Sequence, residues 1–67
     1  MVEASPQYAM LFYNLACCES QIGRTADALA HLRRAGDMAE EVRRAARDDS
    51  DFEPIRHERA FKQLTDT

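Results

Sequence analysis

The chain has 67 residues and a formal net charge of −3, so it holds one domain with a small core. Hydrophobic residues make up 45% and charged residues 31%, the balance of a globular chain. The mild acidity argues against a nucleic-acid binder, whose domain ordinarily carries a basic face. Ala, Leu, Arg and Glu are plentiful while Gly, Pro and β-branched residues are few, which points to an all-α fold.

Ser5-Pro6 is a helix-start signal, with Ser as cap and Pro in the first turn. A first helix is predicted over 5–22, carrying Tyr8, Leu11, Phe12, Tyr13, Leu15 and Ile22 among its apolar residues. It is apolar nearly all round, whereas a surface helix shows one stripe. Two of its sides are therefore covered, or one is a contact surface. Gly23 follows as the expected left-handed cap.

Thr25 can cap a second helix, with Asp27 in its first turn. Ala28, Leu32, Ala35, Ala39, Val42 and Ala46 recur at steps of 4, 3, 4, 3 and 4, one face over five turns. The favoured reading is a near-continuous helix over 25–47. Two shorter helices, broken near Gly36, are the alternative, because glycine costs about 1 kcal/mol inside a helix. The polar run Asp48-Asp49-Ser50-Asp51 and Pro54 predict a turn over 48–55. A short last helix over 56–64 then brings Phe61 and Leu64 to join Phe52 and Ile55 as a cap folded onto the helix pair.

The stretch Ala9-Met10-Leu11-Phe12-Tyr13-Asn14-Leu15-Ala16, with Gly23, Ala28, Leu32 and Ala35, resembles a tetratricopeptide repeat. Phe12 stands at the large aromatic position, and Asn14-Leu15-Ala16 matches the common Asn-Leu-Gly with Ala for Gly. Ala16 and Ala28 lack bulk, so two helices can approach closely. The resemblance therefore implies an antiparallel helix-turn-helix with Phe12, Leu15, Ala16, Gly23, Ala28, Leu32 and Ala35 as packing residues. Glu19 and Glu40 depart from the pattern, replacing an aromatic and the Pro that usually ends the unit. The tail Asp51-Phe52-Glu53-Pro54-Ile55-Arg56, followed by Phe61, is similar to the closing segment of many bacterial tetratricopeptide proteins. The chain then reads as the last repeat and cap of a longer scaffold.

In that family the first helices line a concave groove, which makes Tyr8, Leu11 and Tyr13 candidate partner contacts. Tyr13 serves either a groove or a preceding repeat. Asn14 contacts a partner or bonds across the helix pair. The family's carboxylate clamp for chaperone tails uses Lys and Asn. Tyr13 and Cys17 stand at the matching positions, so that ligand is not expected.

Cys17-Cys18 are adjacent, too close for a C-x-x-C redox or metal motif, and read as small buried hydrophobes. His31 lies off the apolar stripe and is expected exposed; His57 is expected to cap the last helix. The acidic run Asp48–Glu53 lacks the glycine and closing Glu of a calcium loop. No phosphate-binding, dinucleotide-binding, zinc or nucleophile-elbow motif occurs. No catalytic residue, cofactor or metal is expected. Met1–Pro6 carries no signal-peptide pattern and no apolar run approaches about 20 residues, so no membrane span and a cytoplasmic location are expected. The expected function is a non-catalytic protein-interaction module that binds a protein, a peptide or neighbouring repeats. The alternative is a capping or homodimerisation unit with no ligand of its own.

Overall fold

The computed structural model describes residues 6–65, with side chains from Tyr8 onward; the Ser5 cap lies outside them. Among the described residues the fold is all-α with no strand. Helices α1 (Pro6–Gln21), α2 (Thr25–Met38) and α3 (Glu41–Asp48) are followed by a 3₁₀ helix (Ser50–Ile55) and α4 (Arg59–Thr65).

α1 and α2 form a hairpin whose turn is set by Gly23. Gly23 sits at φ +88°, a conformation that costs a side-chain-bearing residue about 1–2 kcal/mol. The Arg24 amide donates to the Glu19 carbonyl at 2.8 Å and the Gly23 amide to the Ser20 carbonyl at 3.3 Å. These two bonds satisfy the carbonyls that the end of α1 leaves open. Thr25 is the first residue of α2 rather than its cap; Arg24 holds the cap position and makes no side-chain capping bond. Asp27 lies in the first turn as expected, beside Arg24.

The second helix is not continuous to residue 47. It stops at Met38, because Ala39 is extended at φ −145° and ψ 109°. The interruption comes three residues after Gly36, which stays helical and buried. A methyl group on Gly36 would meet Arg43 Nε at 2.7 Å and Cγ at 2.9 Å. Arg43 instead lies back across α2 and reaches Asp37 at 2.8 Å. Gly36 thus gives room for α3 to fold back. The 28-32-35-42-46 stripe still faces one core across the break.

The segment 48–55 is more regular than a turn. The Asp49 carboxylate accepts the Asp51 amide at 3.0 Å and starts the 3₁₀ helix that contains Pro54. Phe52, Ile55 and Phe61 are fully buried, and Leu64 packs beside them. Phe52 joins the cap to the hairpin, its ring 5.5 Å from Tyr13 and 5.6 Å from Phe61. Arg56 donates to the Arg47 and Asp49 carbonyls, and Arg47 to the Thr65 carbonyl, which ties the cap to the end of α3. His57 is exposed and lies before α4, so it is not that helix's cap. No described helix is long and apolar enough to cross a membrane.

Candidate functional site: the outer face of the first helix

The inner side of α1 is set by small and medium residues. Ala9, Ala16 and Ser20 are essentially closed from solvent, with Tyr13 and Cys17 beside them. Ala16 on α1 and Ala28, Leu32 and Ala35 on α2 are all buried in the one core that the two helices share. The resemblance implied these four as packing residues, and they lie in the core. Phe12 lies at the edge instead. Its ring is half-buried, stacked on His31 at 5.8 Å and covered by Arg34 at 5.0 Å. His31 is accordingly not exposed as expected: its Nδ1 lies 2.7 Å from Glu19 Oε1, linking α2 to α1.

Tyr13 does not share the open face with Tyr8 and Leu11. It is a core residue whose hydroxyl donates to Asp49 Oδ2 at 2.6 Å. Burial first, then this bond to a carboxylate, raise its pKa far above the ordinary tyrosine value. The same bond, with the Asp51 amide, holds the Asp49 carboxyl below its ordinary value. Cys17 lies beside the pair. Burial, then the Asp49 and Asp51 charges, push its thiol up to about 12. The ligand atoms of Cys17, Asp49 and Asp51 lie within 4.8 Å of one another. Each is already engaged: Asp49 as described, Asp51 with Gln21 Nε2 at 2.9 Å, and Cys17 as a neutral thiol. The cluster therefore latches α1 to the 3₁₀ helix. A metal there would have to break those bonds and ionise a buried thiol.

The outer side of α1 is different. Tyr8 is 58% exposed, Leu11 53%, Leu15 39% and Ile22 70%, and Cys18 is exposed too. Leu15, expected to pack within the repeat, lies toward this open side instead of in the core. Tyr8 and Leu11 are open as expected of partner contacts, and Asn14 is exposed beside them rather than buried in the hairpin. Positions 8, 11, 15, 18 and 22 fall within an arc of about 80° on a helix of 3.6 residues per turn. That arc lies about 150° round from the buried positions 9, 13, 16 and 20. Its spacing of 3, 4, 3 and 4 was present in the sequence and would have identified Leu15, Cys18 and Ile22.

Charge sharpens the contrast. Charged residues make up 31% of the chain, yet α1 contains only Glu19, which is occupied by His31. A solvated helix face would carry several. The described residues also form concavities elsewhere. A groove of about 190 Å³ runs between Met10, Tyr13, Val42 and Ala45. A cleft of about 390 Å³ lies between Leu29, Arg33, Arg43 and Leu64. Both are partly open to solvent, and neither gathers groups for chemistry.

No family model matches the chain, and neither a curated protein nor a solved structure matches it.

Proposed function

We propose that this chain is a protein–protein interaction module with no chemistry of its own: a terminal tetratricopeptide-like helix pair, sealed by its cap, that offers the outer face of α1 to another protein. The observation that carries the reading is the open stripe of Tyr8, Leu11, Leu15 and Ile22 on a helix with one charge. Burying such side chains drives association at about 25 cal/mol per Å² of apolar surface, less the cost of ordering both partners. The burial of the small residues Ala16 on α1 and Ala28 on α2, and the buried cap of Phe52, Ile55 and Phe61, support the repeat-like description. Two free cysteines fit a cytoplasmic setting. The second reading is a capping unit that ends a helical array, with the same stripe lying against a preceding helix. It draws on the same face and on the sealed C-terminal side.

The test is capture of partners by tagged wild type and by the double variant Leu11→Ser, Leu15→Ser in the source cells. Both positions are exposed, so the variant should keep its helical circular dichroism and lose the proteins that wild type retains. An unchanged set of retained proteins overturns the reading.

A further inference from the structure

We infer that the occupant of the α1 stripe is a second copy of this chain, bound helix to helix in parallel. The proposal rests on the docking role of that face and adds the partner's identity. The stripe has the 3-4-3-4 spacing of a two-stranded helical seam, with Tyr8, Leu15 and Ile22 at one set of positions and Leu11 and Cys18 at the other. Ile22 lies just past α1, yet its amide still donates to the Cys18 carbonyl at 3.1 Å, so the seam keeps helical geometry to its end.

Partner choice in such seams is set by charges on the flanks. Here the flanks are Asn14 and Gln21 on one side and Phe12 and Glu19 on the other. One flank carries the Glu19 carboxylate, engaged by His31, and the Arg34 guanidinium over Phe12; in a parallel pair it faces the uncharged Asn14 and Gln21 side of the other copy, so like charges do not meet. The packed side of α1 lies about 150° round from the stripe, which leaves the stripe itself clear for a second helix. The helix is already formed by the hairpin, so pairing does not bear the nucleation cost that makes short isolated seams fail.

The open fractions of these side chains amount to roughly 400 Å² of apolar surface per copy, taking about 150–250 Å² for a large residue. With its flanks, a pair buries roughly 1,000 Å², the lower edge of a specific interface. The expected dimer is reversible. Parallel alignment sets all five positions against themselves. In a helical seam, antiparallel alignment with the two sets opposed matches only four and leaves either Tyr8 or Ile22 outside.

Sedimentation equilibrium under reducing conditions, from low micromolar to millimolar chain, reads the first half of the proposal. Wild type should pass from monomer to dimer. Leu15→Glu should weaken the dimer at least about a hundredfold, since each copy loses an apolar layer and gains a like charge. A monomer throughout overturns the second copy but leaves another protein as partner. A dimer that survives Leu15→Glu overturns the seam as the dimer interface, while the docking role is decided separately by the capture experiment. Orientation is read with the double variant Cys18→Ser, Ile22→Cys and the oxidant diamide. Diamide takes two electrons and two protons from two thiols as their S–S bond forms. Parallel pairing gives a covalent dimer through residue 22. Antiparallel pairing separates those positions by at least about ten residues, some 15 Å along the helix, and gives none. Persistence of non-covalent dimer without crosslink overturns the parallel arrangement.

Discussion

Replacing Tyr13 with Phe removes one oxygen and keeps the ring against Phe52, so it isolates the hydroxyl bond to Asp49. A hydrogen bond to a charged acceptor contributes about 1.5–3 kcal/mol net. Asp49 is only half-buried and water can replace the donor, so the lower end applies, about 1.5 kcal/mol. For a domain of this size that lowers Tm by about 6–12 °C. Total stability on the order of 3–10 kcal/mol leaves the variant folded at 25 °C. The effect has a pH signature. The folded Asp49 carboxyl titrates below its ordinary value, so the folded state binds fewer protons than the unfolded one. Its contribution is complete above the unfolded carboxyl pKa of about 3.9 and is lost as pH falls through the folded value. Wild type and Tyr13→Phe should therefore differ at pH 7 and converge at strongly acid pH. Thermal melts of wild type, Tyr13→Phe, Asp49→Ala and the double variant give the coupling directly. A coupling near zero, or a difference that persists unchanged in acid, refutes the latch between α1 and the 3₁₀ helix.

Thiol titration of the native protein with a disulfide reagent should show one accessible cysteine, Cys18, while Cys17 reacts only on unfolding. Because the Cys17 thiol is held neutral up to about 12, stability is intact below the unfolded thiol's pKa of about 8.5 and falls as pH rises above it, which alkaline melts check. Gly36→Ala should gain less than about 0.5 kcal/mol, because the helix-propensity benefit of about 1 kcal/mol is offset by displacement of Arg43 from Asp37. In an Arg43→Ala background the full gain should appear in urea titration; equal gains in both backgrounds contradict the close approach. Ser20 is fully buried with no hydrogen-bond partner for its hydroxyl among the described residues. Ser20→Ala should therefore stabilise by about 1 kcal/mol in the same assay.

Much of the fold was legible because it depends on local rules. The scarcity of β-branched residues, Gly23 after Ile22, and the 28-32-35-39-42-46 repeat led to the hairpin and to the face that α2 and α3 share. The break after Met38 was missed by the favoured reading of one helix over 25–47, and the alternative set it near Gly36, because the cost of Gly36 was read as a propensity penalty. Its role is tertiary: Gly36 makes space for the Arg43 side chain, which no local scale contains. The 3₁₀ helix was read as a turn because its start depends on Asp49, itself held by Tyr13 from far along the chain. The site was half legible. Tyr8 and Leu11 were assigned to the open face, but Tyr13 was put there too, because an aromatic on a nearly all-apolar helix has no obvious side. The buried set 9-13-16-20 and the open set 8-11-15-18-22 interleave in the sequence and separate only once Ala28 and Phe52 mark which side is inside. His31 was misjudged for a related reason, since its partners Phe12 and Glu19 lie across the hairpin.

The most direct test of pairing between two copies through the outer face of α1 is a series of ¹H–¹⁵N correlation spectra of the wild-type chain as its concentration is raised. Shift changes concentrated on Tyr8, Leu11, Leu15, Cys18 and Ile22, with the Phe52 and Phe61 amides unmoved, are the expected result. Changes centred on the Arg33–Leu64 cleft, or none with the stripe still open to a soluble paramagnetic probe at the highest concentration, would contradict it.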